Sequence, residues 1–214
     1  MIDLHYWFTP NGDKPLIFVH EAGLEHRVKT VDIGKDEQFA PAFLAIAPNN
    51  RIPAIVDHAP ADGGAPVSVF ESGAILLYLA EKTGRFVPAD ARLRIQAVEW
   101  LMWQMGGFGP MLGQAHHFRV FAPEQVPYGI ERYTKEAQRL YGVLERRLAG
   151  RDWLADEYSV ADMAAWPWSR SFEMQGVEIE KFPAVAAWQK RMEERPAVAA
   201  ALAAKERLQQ QRQA

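Results

Sequence analysis

The sequence contains no cysteine. That excludes structural disulfides, cysteine metal ligands and a Cys-x-x-Cys redox pair. It also restricts any redox role. Thiol–disulfide exchange needs an attacking thiolate, so in this chain the thiol has to arrive with a bound small molecule. There is no basic block: 24 Lys and Arg stand against 27 Asp and Glu, giving a formal net charge of −3. Nucleic acid is therefore not an expected partner. No apolar run reaches bilayer-spanning length, and the first residues lack a charged-then-apolar signal pattern. The expectation is a cytoplasmic protein with no membrane partner. No internal repeat is visible.

The 214 residues are 49% hydrophobic, ample for one large domain or two small ones with packed cores. Asn49-Asn50-Arg51-Ile52-Pro53-Ala54-Ile55-Val56-Asp57 reads as a buried strand entered through a proline. Proline cannot donate to a ladder and belongs at a strand's edge or first residue. It also pushes Ile52 to an extended conformation. A polar turn at 58–64 leads to a second strand, Val67-Ser68-Val69-Phe70, then Glu71-Ser72-Gly73 and an apolar helix over 74–79. A hairpin thus exits into a helix start that carries an acid and a hydroxyl. Free N–H groups at a helix start, with a hydroxyl, suit a carboxylate, and Glu71 beside them suits an ammonium. The same residues serve equally as a plain helix cap.

Ahead of the hairpin, Ile2, Leu4 and Tyr6 alternate with Asp3 and His5 as in a strand. Thr9-Pro10-Asn11-Gly12 is a turn, with Asn11 or Asp13 available to cap the helix that follows. A second strand is expected at 27–31 and a short helix within 36–46. Residues 84–90 break this pattern. Beyond them the chain is helical in character: 92–105 with Ile95, Val98, Leu101 and Met102 as apolar positions, a break or kink at Gly106-Gly107 and Gly109-Pro110, then 111–118. Residues 128–148 follow with one apolar stripe. Ser159-Val160-Ala161-Asp162 resembles a capping box opening a buried helix. Residues 183–194 form the last expected helix, and the polar tail 205–214 is expected to fray. The expected organisation is residues 1–84, a linker at 85–91, and a helical domain at 92–214.

Asn-Arg-Ile-Pro-Ala-Ile-Val-Asp followed by Phe-Glu-Ser-Gly-Ala-Ile-Leu-Leu-Tyr-Leu resembles the glutathione-binding half of the cytosolic glutathione transferases. Thr9-Pro10-Asn11-Gly12, Gly109-Pro110-Met111-Leu112-Gly113-Gln114 and His116-His117-Phe118 look most like the bacterial nu class, whose members are glutathione-dependent disulfide-bond oxidoreductases. The resemblance covers nearly the whole chain. It implies an α/β thioredoxin-like N-terminal domain and an all-α C-terminal domain, with the active site in the cleft between them. It also implies a homodimer, with glutathione as co-substrate and no metal. The partners implied are glutathione, glutathione disulfide and a small disulfide or hydroperoxide.

The resemblance implies the following site. Glu71 and Ser72 hold the γ-glutamyl end of glutathione. Ile52 pairs its backbone with the ligand's cysteine, as an added strand would, and this requires a cis bond to Pro53. Gln38 holds the glycine end, with Arg51 a weaker candidate for the same carboxylate. Thr9 and Asn11 lie nearest the sulfur, at a helix start whose dipole favours a thiolate. Arg132, on the polar side of the long helix, matches a ligand-contacting position. Tyr6 belongs to the core by its strand pattern. The lack of a tyrosine or serine at the turn favours disulfide reduction over electrophile conjugation. A conjugating transferase or peroxidase, and a non-enzymatic interaction protein on the same fold, are the alternatives. His116 and His117 diverge by about 100° on a helix and make a poor chelating pair.

Overall fold

The computed structural model describes residues 1–213, in two compact units: 1–87 with 194–214, and 88–193. Ala214, the end of the tail expected to fray, lies outside the described residues.

The first unit is built on a sheet with strand order β2-β1-β3-β4. β1 (Ile2–Tyr6) and β2 (His26–Thr30) run parallel, joined by α1 (Pro10–Ala22). β3 (Ala54–Asp57) pairs antiparallel with β1, and β4 (Val67–Phe70) antiparallel with β3. α3 (Ser72–Thr83) packs on α1. This is the thioredoxin-like layer of sheet and helices that the sequence implies. Leu4, Tyr6, Ile55, Phe18, Ile75 and Leu79 are among its buried side chains. The short helix expected within 36–46 is α2 (Pro41–Leu44), preceded by a 3-10 turn, Glu37–Phe39. Pro41 sits at the helix start, where its missing N–H costs nothing. Phe43 and Ala47 bury a small cluster with Val31 and Ala54, against which Ile52 packs.

The helical unit opens with α4 (Ala91–Trp103), capped by Asp90. The glycines after it do not break the chain. A π turn, Gln104–Phe108, widens the helix and carries it into α5 (Gly109–His116), and a second π turn, His117–Phe121, ends that segment. The first turn is set by packing: Trp103 stacks on Phe108 at 4.8 Å, and a Cβ on Gly109 would meet Gln104 Nε2 at 2.5 Å. α6 (Pro127–Leu148) buries Ala137, Leu140, Tyr141, Leu144 and Leu148 along one stripe. α7 (Val160–Ser169) is buried almost throughout and starts with the expected capping box. α8 (Pro183–Glu193) turns Val185, Trp188 and Met192 inward. Ile95 and Met102, read above as apolar positions of α4, are 56% and 48% exposed, while Ala97 and Leu101 take the buried places.

The tail does not fray within the described residues, and it does not belong to the helical unit. It forms α9 (Pro196–Gln213), which packs on α1 of the first unit. Val198 and Ala201 are buried, and ion pairs flank them. Arg195 forks onto Glu21 at 2.6 and 3.0 Å, Lys205 meets Asp13 at 2.7 Å, and Arg212 pairs with Asp32 while lying 4.0 Å from the Trp7 ring centre. The partition at 92–214 is corrected accordingly. Among the described residues no helix is long and apolar enough to cross a membrane.

Candidate functional site

Register brings the implied residues of the first unit to one end of the sheet. His5 lies opposite Ala54, and Ala54 opposite Phe70. Tyr6 lies beside Thr30 on the parallel side. The turn after β1, the Ile52-Pro53 entrance to β3, the Glu71 exit from β4 and the segment after β2 that reaches Gln38 therefore share that end.

Thr9, not Asn11 or Asp13, is the N-cap of α1. Its Oγ accepts from the Gly12 N–H at 3.1 Å, leaving Asn11 half-buried in the first turn. Gly12 is required there, because a Cβ would meet the Trp7 carbonyl oxygen at 2.3 Å. Asp13 is drawn inward instead, accepting from the Tyr6 hydroxyl at 2.9 Å and from Lys205. Tyr6 is a core residue, as its strand pattern indicated. Burial, with the Asp13 carboxylate beside it, pushes its phenol far above the usual range, so Tyr6 supplies no acid for a thiol at this turn.

The Ile52-Pro53 bond is cis, and the β3 ladder begins one residue later at Ala54. Glu71 sits at φ 70°, a conformation that side chains other than glycine rarely adopt. Such outliers concentrate at ligand clamps. Asn49 Nδ2 donates to Glu71 Oε1 at 3.2 Å, and Ser72 is buried in the first turn of α3. Gln38 is buried rather than exposed; its Nε2 donates to Asp36 at 3.4 Å, while its Oε1 is buried with no hydrogen-bond partner. A buried orphan acceptor is costly unless a ligand donor meets it. Arg51 is exposed.

Two residues escaped the sequence reading. Asn49 lay within the stretch singled out, but its reach to Glu71 depends on the folded hairpin. Lys14 is fully buried, and its Nζ donates to Ser72 Oγ at 3.2 Å. Nothing in a sequence marks one lysine as buried.

In the helical unit, Arg132 is exposed on α6 and lines an open cleft of ≈ 580 Å³ with Tyr128, Tyr133, Glu136 and Arg139. Phe118 stacks on Tyr133 at 5.2 Å between ring centres. His116 is buried beside Trp168 whereas His117 is exposed, so the pair diverges.

A thioredoxin-like unit followed by a helical unit defines a glutathione transferase scaffold. The family models bear this out: residues 8–82 match the glutathione S-transferase N-terminal domain and 109–196 the C-terminal domain. The chain belongs to the glutathione S-transferase family. It is 56% identical over 203 residues to the disulfide-bond oxidoreductase YfcG of Escherichia coli K12, covering 94% of each chain, and 40% identical over 212 residues to the disulfide-bond oxidoreductase YghU of the same strain, covering 92% of this chain and 72% of YghU. A crystal structure of a Pseudomonas putida glutathione transferase, with one glutathione disulfide bound per subunit, matches at TM-score 0.89 and 41% identity over 94% of this chain and 90% of that one. A Burkholderia graminis glutathione transferase with two glutathione molecules bound per subunit matches at TM-score 0.88 and 43% identity, covering 94% and 87%.

Proposed function

We propose that this protein is a glutathione-dependent disulfide-bond oxidoreductase that reduces small disulfides with glutathione thiols. The observation that carries the reading is that the chain has no cysteine, yet is 56% identical to a named disulfide-bond oxidoreductase. Its attacking sulfur is then the ligand's. Glutathione thiolate attacks one sulfur of the disulfide, forming a mixed disulfide and expelling a thiolate. A second glutathione thiolate attacks the glutathionyl sulfur and expels the other thiolate. Glutathione disulfide is the product, and two thiols have been oxidised for one disulfide reduced. Holding both glutathiones on one protein makes the second step effectively unimolecular.

In this reading the α1 start, with Thr9 and Asn11, stabilises the thiolate through the helix dipole and donated hydrogen bonds. Glu71 and Ser72 take the γ-glutamyl head, Ile52 offers backbone, and Gln38 takes the glycine end. Arg132 contacts the ligand from the helical unit. The protein acts in the cytoplasm as a homodimer.

The test is turnover of 2-hydroxyethyl disulfide with glutathione. Asn11→Ala is expected to lower kcat by about 10- to 100-fold, the worth of a charge-assisted hydrogen bond. Arg132→Ala is expected to raise KM for glutathione roughly fivefold, as an exposed charge contact would. Unchanged rates in both variants overturn the assignment. Faster turnover of chloronitrobenzene-type electrophiles or hydroperoxides than of the disulfide makes the protein a conjugating transferase or peroxidase. Absence of glutathione binding leaves an interaction protein.

A further inference from the structure

We infer that Arg212, in the last turn of α9, is a positioning residue for glutathione, acting through Asp32 on the turn that carries Gln38. The inference rests on the reading of Gln38 as the contact for the glycine end.

Arg212 reaches further than the other basic residues that dock α9. Arg195 and Lys205 grip α1 itself, through Glu21 and Asp13. Arg212 passes α1 and meets the segments that leave β1 and β2. Its guanidinium pairs with the Asp32 carboxylate and lies 4.0 Å from the Trp7 ring centre and 5.9 Å from that of Phe8. An ion pair between exposed side chains contributes little. Here the Asp32 side chain is only 10% exposed, and the cation also lies over an aromatic face, which adds to the attraction. The planar guanidinium is suited to both contacts at once.

Asp32 ties together the turn that follows β2. Its Oδ1 accepts from the Gly34 N–H at 3.0 Å, and its N–H donates to Glu37 Oε2 at 2.7 Å. Its carbonyl accepts from the N–H groups of Lys35 at 3.0 Å and Glu37 at 3.2 Å. The turn passes through Asp36 at φ 59°, in the left-handed region, and reaches Gln38 two residues later. One carboxylate oxygen of Asp32 therefore fixes the turn, and Arg212 holds the other. Lys35 approaches that second oxygen only at 4.0 Å and is largely exposed. Without Arg212 the carboxylate can turn towards water, and the Gly34 N–H loses a fixed acceptor. Gln38 must then be ordered as the ligand arrives, and that ordering weakens binding. On the β1 side, the Trp7 carbonyl accepts from the Thr9 N–H at 2.7 Å, so the same cation rests against the turn that carries Thr9.

The experiment is titration calorimetry of the full chain with glutathione and with γ-glutamylcysteine, which lacks the glycine. Arg212→Ala is expected to weaken glutathione binding about 5- to 20-fold, and γ-glutamylcysteine binding by less than about twofold. Arg212→Lys keeps the charge and is expected to restore part of the loss. Asp32→Asn keeps an acceptor for the Gly34 N–H but removes the charge. It is expected to weaken glutathione to a similar degree, and adding Arg212→Ala to it is expected to cost little more. Arg207→Ala removes an α9 charge that acts on His20 of α1 and is expected to change neither ligand. Glutathione binding that Arg212→Ala leaves unchanged, or equal weakening of both ligands, overturns the role of Arg212 alone. Weakening by Arg212→Ala with Asp32→Asn unchanged shows a charge acting on the ligand without Asp32, and overturns it too. Glutathione binding that Gln38→Ala leaves intact overturns the glycine-end reading, and this inference with it.

Discussion

At the scale of single residues, two hydroxyls at this site share a device. Thr9 Oγ accepts from the Gly12 N–H, and Ser72 Oγ accepts from the Lys14 ammonium. In each case the protein supplies a donor to the oxygen, which fixes the side chain and strengthens the hydroxyl as a donor in its turn. Thr9→Ala removes both the cap and the hydroxyl. It is expected to lower turnover of 2-hydroxyethyl disulfide about tenfold and to cost about 1 kcal/mol of stability. Thr9→Ser keeps the oxygen and is expected to retain most of both. Steady-state kinetics with a thermal melt on each variant separates the two effects; equal losses in Ala and Ser would show that the methyl group, not the hydroxyl, matters. Much of the site was legible at this scale because the family's motif residues stand together in short stretches. Lys14 was not, because its burial is decided by helices that meet it from distant sequence. Gln38 reads in sequence as an exposed helix-end side chain, and only the fold makes it a buried one.

At the scale of elements, β1 and the α6 stripe were readable from period alone, falling where alternation and 3.6-residue spacing put them, and the β3–β4 hairpin from the proline at its entrance and its polar turn. The period failed on α4, where apolar residues lie on more than one face and sequence cannot say which face is covered. The capping box of α7 is where an element's stability is concentrated. Asp162 accepts from the Ser159 N–H at 3.1 Å and Ser159 Oγ at 3.3 Å, from the Leu154 N–H at 3.0 Å and from Trp188 Nε1 at 2.9 Å, and so ties α7 to a loop and to α8. Asp162→Ala leaves those donors unmatched in a buried place. It is expected to cost about 3–5 kcal/mol, lowering the melting temperature by roughly 10 °C. Burial pushes the Asp162 carboxyl up to about 6, against hydrogen bonds from Leu154, Trp188 and Ser159 that pull it down. A folded-state value above the unfolded one means that this group's contribution is fully present below pH 3.8 and is lost as pH rises through about 6. Between pH 7.5 and pH 5 the wild type should gain about 1 kcal/mol relative to Asp162→Asn, measured by urea unfolding at both pH values. A constant difference would show that the carboxyl does not titrate in that window.

At the scale of the whole molecule, Ile95 and Met102 stand seven residues apart on one face of α4, exposed and apolar. A self-complementary contact between two copies would cover them. Glu at both positions is expected to convert a dimer to a monomer in sedimentation analysis while leaving helix content unchanged. A wild type that already sediments as a monomer removes the homodimer from the proposed function. The two-unit organisation was readable from the change in pattern near residues 84–90, but the return of the chain to its first unit was not. α9 is rich in alanine and polar residues, buries little beyond Val198 and Ala201, and is matched by single charges to partners as much as 192 positions away.

That return has a consequence for how the protein is made. The first unit is finished by α9, which is synthesised after roughly a hundred intervening residues of the other unit. At about 5–20 residues per second, α1 waits on the order of 9–35 s for α9, about 170 residues further along the chain. During that interval Glu21, Asp13 and Asp32 lack their basic partners from the tail, and the nascent chain presents an acidic, partly apolar helix face to whatever chaperone or protease meets it first.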